Sequence, residues 1–370
     1  MGHRPKDAER LSESTDLGAP HVGARKRDWP LVVRRARADD KDAVLEFATA
    51  TWDGWDYIPQ AWPVWLAATD GVMLVACRPD SDRPVALTRV AMVSPTEAWL
   101  EGIRVDPAVR GMDVASDLQV AELRWAAAQG ATVIRYATSA QNEGSHRLGA
   151  RHGIELLFEY RNYWWSPDPG DDPDDPSGFD AQVRAEATGA RQRILAAFAA
   201  HGRIAVAGDA DRLWRIVAND AGFKAAQQLY EPRPWELGEL TAQRFRQHVE
   251  RGEVITFDDR GIAILLREQL ASEDSSLRLA LLAGQVDGVV VLLERLRDIA
   301  DKTVRFRLPL GSPLDAAGHD RLAGAGYRGT DWELHILGRP IDSDHRVPEV
   351  DPTRLILAEE PTAVVVPLEF

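Results

Sequence analysis

A single cysteine, Cys77, in a chain of 370 residues excludes both a disulfide framework and a cysteine-ligated metal. It lies in the apolar run "GVMLVAC", and such sparing use of thiols fits the cytoplasm. No stretch approaches the roughly 20 consecutive apolar residues that a membrane-spanning helix needs. The N-terminus "MGHRPKDAERLSESTDLGAP" lacks the apolar core of a secretion signal, so residues 1–29 are expected to form a disordered tail. A basic excess is also missing. With 44 Lys and Arg against 58 Asp and Glu, the net charge of −14 repels a phosphate backbone, and neither nucleic acid nor membrane is expected as a partner. An acidic field attracts amines and other cations, although it also serves solubility alone.

Several motifs are absent too. There is no G-x-G-x-x-G dinucleotide fingerprint, no P-loop lysine and hydroxyl, and no G-x-S-x-G nucleophile elbow. His146 and His152 are six apart, and His319 and His335 sixteen apart, with no acidic pair at ligand spacing, so no metal site is expected.

What is present suffices for two folded domains, with 45% hydrophobic residues. The strongest punctuation is "SPDPGDDPDDPSG", residues 166–178, where proline and glycine break regular structure and the aspartates repel one another. It reads as a linker between a first domain at 30–165 and a second at 179–340. Residues 341–370 form a C-terminal extension in which "EEPTAVVVPLEF" fits an added strand.

In the first domain "PLVVRRAR" reads as a strand. Asp39 or Asp40 then caps a helix that puts Ala43, Val44, Phe47 and Ala48 on one face. A tryptophan-rich passage with Trp52, Trp55, Trp62 and Trp65 follows; it suits a substrate lid containing Asp53, Asp56 and Tyr57, or a plain cover for the core. "GVMLVAC", "PVALTRVAMV" and "AWLEGIRV" read as a three-strand meander. After a short loop, Val114, Leu118, Ala121 and Trp125 recur at helical spacing up to Gly130. "TVIRYATS", the helical "NEGSHRLGARHG" and the strand "IELLFEYRNYWW" complete a mixed α/β order. The second domain echoes the later part of this order in "SLRLALLAG", "VDGVVVLLERLRDIAD", "TVRFRLPL", "DAAGHDRLAGAG" and "WELHILG". Two diverged copies of one fold explain that, as do two unrelated mixed domains.

The loop "VRGMDVA" joins a strand to a helix N-terminus, where backbone N–H groups lack intrahelical partners and the dipole adds positive character. Arg110 can contact phosphate through its planar fork, and Gly111 lets backbone approach closely. A plain turn with a solvated arginine is the competing reading.

The element order, "RVDPAVRGMDVASDL" and the downstream "NEGSHRLGARHGI" together resemble the GCN5-related N-acetyltransferase family over about residues 31–165. That family's loop runs Arg or Gln, two residues, Gly, one residue, then Gly or Ala; here Arg110 stands first, Asp113 at the middle glycine and Ala115 last. The resemblance implies acetyl-CoA as cosubstrate, its diphosphate held by Gly111, Met112, Asp113, Val114 and Ala115. The pantetheine arm would run beside Gly102, Ile103 and Val105 and touch Asn142. "DGWDYIP", "LEGIRV" and "RG" before "VA" are similar to the histidine N-acetyltransferase-like branch, of which "LYEPRPWEL" and "WELHILG" are weaker echoes.

Two residues depart from the family pattern. Asp113 brings a carboxylate near a diphosphate, a repulsion of roughly 1 kcal/mol in solvent, unless its side chain turns outward. Gly149 stands where many members carry a tyrosine that protonates the departing thiolate. A thiol with a pKa of about 8.5 can leave without that proton; Tyr57, Tyr136, His146 and Tyr163 are candidate replacements, with packing or surface roles as the alternative.

The resemblance implies direct attack by a small-molecule amine, such as an amino acid α-amino group, with strand N–H groups near Ile103 and Val105 stabilising the oxyanion. Glu101 is the candidate base, acting through water, or else a strand carboxylate paired with Arg104. The second domain lacks "VRG" and reads "AGQVDGV" at the matching junction, so it is expected to be a degenerate, inactive copy of a tandem fold. The competing functional reading is a catalytically inactive module that binds acyl-CoA or a protein partner.

Overall fold

The structure is a computed structural model that describes residues 27–49, 51, 56–167, 202–266, 276–300 and 303–358. Most of the expected tail, residues 168–178 of the expected linker, the passage with Trp52, Asp53 and Trp55, and "EEPTAVVVPLEF" beyond Ala358 lie outside them.

The chain forms two compact units, each drawn from more than one stretch of sequence. The first lies within Met1–Ile134, Gln141–Glu155 and Arg339–Pro367. Its helices are α1 (Lys41–Ala48), α2 (Ile58–Ala67), α3 (Val114–Ala128) and α4 (Glu143–Arg151). Its strands are β1 (Leu31–Arg35), β2 (Gly71–Cys77), β3 (Pro84–Ser94), β4 (Glu97–Val105) and β15 (Leu355–Leu357), in the order β15-β1-β2-β3-β4. β15 joins β1 in parallel, and the remaining pairs are antiparallel.

Every residue of β2 and β3 is buried; β2 is the unbroken apolar run that a strand covered on both faces requires, whereas β3 also buries Thr88, Arg89 and Ser94. The expected face of α3 is buried as well, with Val114, Leu118, Ala121 and Trp125 each no more than 4% exposed.

Two expectations change here. Asp40 precedes α1, but its carboxylate does not cap the helix by a side-chain hydrogen bond. It accepts instead from Arg34, at 2.7 and 2.8 Å, and from the Arg37 N–H. A buried guanidinium needs a bidentate partner more than a solvated helix end needs a cap. Residues 27–29, assigned to the tail, are ordered by Arg27, which donates to the carbonyls of Trp29, Met112 and Arg354.

The second unit lies within Arg135–Ala140, Leu156–Gly338 and Leu368–Phe370. It therefore takes most of β5 (Val133–Ser139) and β6 (Glu155–Trp165). Its other strands are β7 (Arg203–Ile204), β8 (Leu229–Arg233), β9 (Glu236–Glu239), β10 (Val254–Phe257), β11 (Gly261–Leu265), β12 (Ser276–Gly284), β13 (Thr303–Pro309) and β14 (Arg328–Pro340), which ends in the first unit. The order is β14-β6-β13-β12-β11-β10-β7, with β8-β9 a separate hairpin.

Helices α5 (Ala210–Asn219), α6 (Ala221–Ala225) and α7 (Ala242–Glu250) share one core with one face of the central strands. Helix α8 (Val286–Ile299) packs in a second core that includes Leu277, Leu279, Val304 and Phe306. It is the crossover between parallel β12 and β13, and α9 (Pro313–Gly324) then leads to β14.

Candidate functional site

The loop after β4 begins with Asp106, whose carboxylate accepts from the Ala108 N–H at 2.8 Å and closes a single turn over Pro107–Val109. Gly111 (φ +77°) and Asp113 (φ +59°) are both left-handed and lead directly into α3. Among the described residues, the N–H groups of Gly111, Asp113, Val114 and Ala115 have no hydrogen-bond partner. A Cβ added at Gly111 would meet nothing within 4 Å, so the space over the turn is open. Arg110 is exposed, with its Nε on the Val105 carbonyl at 3.1 Å.

The left-handed backbone explains a glycine requirement at position 113. Aspartate is one of the few side chains that tolerate this region. Its carboxylate turns to cations: Oδ1 is 2.9 Å from Arg151 of α4 and Oδ2 3.4 Å from Arg354. Asp117, one turn along α3, pairs with Arg27 at 2.6 Å and Arg354 at 3.2 Å. Arg27, Arg110, Arg151 and Arg354 thus meet Asp106, Asp113 and Asp117 at the loop.

Arg27, Arg151, Arg354 and Asp117 were not among the sequence candidates. Only the position of Asp117, a carboxylate next to the buried stripe of α3, hinted at a buried partner.

Asn142 caps α4, its Oδ1 accepting from the Ser145 N–H at 3.1 Å. With Arg151 reaching Asp113, the nine-residue helix sets Asn142 at the far end from the loop, about 13 Å along the axis. His152 bonds Ser116 in the first turn of α3 at 3.0 Å, and burial holds its pKa below the usual value, so it is a neutral partner.

On β4 the register slips. Arg104 faces Leu87 and Glu101 faces Arg89, so Gly102 and Ile103 together oppose Thr88 in a bulge. Gly102 is left-handed (φ +73°), and a Cβ there would lie 2.6 Å from the Trp65 ring of α2. The carbonyls of Ile103 and Val105 accept from Arg104 and Arg110.

Behind the bulge, the Thr88 hydroxyl contacts both the Glu101 carbonyl, at 3.3 Å, and the buried carboxyl of Glu122 from α3. Burial raises the Glu122 pKa to about 8. A protonated Glu122 can donate to Thr88, freeing the threonine proton for the Glu101 carbonyl.

The Glu101 carboxylate pairs with Arg89, whose guanidinium also reaches Asp70 at 3.2 Å. The expected alternative partner, Arg104, is instead held by Asp56 at 2.6 and 3.1 Å. The Arg104 guanidinium lies 5.2 Å from the centre of the Tyr57 ring, which meets Trp65 edge-on at 5.8 Å. Removal from water pushes the Tyr57 phenol up to about 12, with the charge of Glu101 contributing. Tyr57 and Glu101 therefore share one neighbourhood, and Tyr57 stays protonated at any working pH.

The matching junction of the second unit is built differently. Gly284 N–H donates to Asp220 at 2.9 Å and Gln285 N–H to the Arg260 carbonyl at 2.7 Å. A Cβ at Gly288 would lie 2.4 Å from the Arg260 carbonyl carbon, so the head of α8 packs directly on that turn.

Residues 41–154 match the model of the Acetyltransferase (GNAT) family. The chain is also similar to the GCN5-related N-acetyltransferase from Kribbella flavida (15% identity, 86% of this chain and 73% of that one, TM-score 0.44). The GCN5-related N-acetyltransferase from Sphaerobacter thermophilus is another (13%, 88% and 98%, TM-score 0.49). Ard1 from Thermoplasma volcanium aligns with 35% of this chain and 85% of its own at 19% identity and TM-score 0.30. No curated protein matches in sequence. The similarity to the Acetyltransferase (GNAT) family thus spans Lys41 to Ile154, the stretch that holds the loop and α3.

Proposed function

We propose that the chain transfers the acetyl group of acetyl-CoA to the amine of a small molecule, such as the α-amino group of an amino acid. The observation that carries this reading is the set of open N–H groups on Gly111, Asp113, Val114 and Ala115 at the head of α3, flanked by Arg110. This donor set fits a diphosphate, and Arg151 and Arg354 pair with the Asp113 carboxylate at its middle. When bound, acetyl-CoA supplies the activated acyl group and a thiolate that leaves without help at neutral pH.

In this reading Ile103 and Val105 flank the reacting carbonyl, and Glu101 receives the amine proton through water. An α-amino group, with a pKa near 8, loses its proton far more easily than a lysine near 10.4, which suits a base already paired with Arg89. Tyr57, beside Glu101, is the candidate in place of the tyrosine absent at Gly149; with its phenol pushed up to about 12 it donates a hydrogen bond to the thiolate rather than a proton. The second unit is read as a degenerate copy, because its junction "AGQVDGV" has no basic residue and the N–H groups of Gly284 and Gln285, just before α8, donate to Asp220 and the Arg260 carbonyl. A cytoplasmic setting remains the expected one.

The inactive-module reading draws on the same ion pair, since Arg89 already occupies the Glu101 carboxylate. Thiol release from acetyl-CoA with a panel of amino acids decides between the two. Release that falls at least tenfold in Glu101→Gln supports transfer, whereas binding without release leaves the module. Unchanged acetyl-CoA affinity in Arg110→Ala overturns the loop assignment.

A further inference from the structure

The face of β12, β13 and β6 opposite the α8 core carries an unusual set of side chains. Strand alternation sends Val304, Phe306 and Leu308 into that core and turns Arg305 and Arg307 the other way. Arg278 of β12 is the cross-strand partner of Arg305, which in turn faces Trp164, while Arg307 faces Asn162. Like charges on directly paired positions are destabilising in themselves. These residues line a cavity of about 40 Å³ together with Trp332 and, from the β8-β9 hairpin, Glu231 and Trp235. Glu231 is the one acid among the lining residues, against three arginines.

The hairpin is held over the cavity at a conformational cost. Its tip is Pro234-Trp235, and Trp235 has φ +68°, at the position a type II turn reserves for glycine. For an indole this is a strained backbone. The strain sets the ring over two cations, 4.2 Å from the Arg307 guanidinium and 5.8 Å from that of Arg278. Glu231 braces the arrangement by pairing with Arg307 at 2.6 Å and accepting from the Trp235 N–H at 2.7 Å. The cavity has room for several waters, each of which needs about 10–15 Å³. That suits a carboxylate or phosphoryl head and is too little for a nucleotide.

We propose that this cavity binds a small oxyanion, a carboxylate or phosphoryl group, held by Arg278, Arg305 and Arg307 beneath Trp235. Guanidinium forks match the paired oxygens of either group, and the indole fixes the forks in place. The site is independent of the loop at α3.

Melting of the full chain in sodium phosphate and in sodium acetate, each against sodium chloride at equal ionic strength, tests the proposal. The expected result is a saturable rise in Tm with one or both oxyanions beyond that in chloride; response to phosphate alone or acetate alone identifies the group. Half-saturation should weaken at least tenfold in Arg305→Gln and in Trp235→Ala and stay unchanged in Arg110→Ala, with the acetyl-CoA response intact in the first two. Calorimetric titration of the wild-type chain with phosphate and acetate provides a readout independent of the variants' folding. No saturable response in either measurement overturns the site. So does a response equal in wild type and Trp235→Ala, or one abolished only by Arg110→Ala.

Discussion

Asp113 shows how one residue can satisfy a backbone turn and direct its charge elsewhere. Its left-handed φ meets the turn's demand, while its carboxylate occupies Arg151 and Arg354. Asp113→Gly keeps the turn, removes the carboxylate and releases Arg151 toward the loop, while Arg354 stays paired with Asp117. Acetyl-CoA should bind several-fold more tightly to this variant by calorimetric titration, and weaker binding would show that the carboxylate assists. Glu122 supports a second prediction. Its pKa in the fold, about 8, lies above the 4.5 of the unfolded chain. The folded state therefore holds a proton that the unfolded state releases, and Glu122 costs stability increasingly as pH rises from about 4.5 to about 8. Glu122→Gln should match wild type in urea unfolding at pH 4.5 and exceed it at pH 8, by up to about 5 kcal/mol.

At the scale of elements, the bulge in β4 depends on Gly102 in two ways, through its left-handed φ and through the Trp65 ring that fills the place of a side chain. Gly102→Ala should cost about 2–4 kcal/mol in chemical unfolding. Trp65→Leu in that background should recover the packing part and leave the backbone part. The Asp56–Arg104 pair fixes the approach of α2 to β4, with both side chains no more than 9% exposed. Asp56→Asn strands a buried guanidinium and should cost about 3–5 kcal/mol, more than the swap of an exposed pair. β4, α3, α4 and β12 are legible from hydrophobic period and turn residues, because each is decided within its own dozen residues. The Gly102–Ile103 bulge is not, since only pairing with Thr88 reveals the extra residue.

For the whole molecule, the proline-rich segment suggests a cut near residue 170, but the chain does not divide into two consecutive pieces. β6 pairs with β13 from Val304↔Trp165 to Pro309↔Tyr160, and β1 takes β15 as a parallel neighbour. A fragment of residues 1–170 loses both partners. Thermal unfolding followed by circular dichroism should be broad for this fragment and cooperative for the full chain; a sharp transition in the fragment would show that residues 1–170 fold alone.

The sequence alone determined the α/β class, the strand-to-helix turn at "VRGMDVA" and the apolar faces of the main helices, because these depend on residue type and short-range period. Tertiary structure decided which charges meet. Arg27, Arg151 and Arg354 gather at Asp113 and Asp117, Arg89 rather than Arg104 takes Glu101, and Glu122 reaches Thr88. Long charged side chains carry no periodic signal of their partners, and desolvation selects a pair only once the strands and helices that bear them have closed.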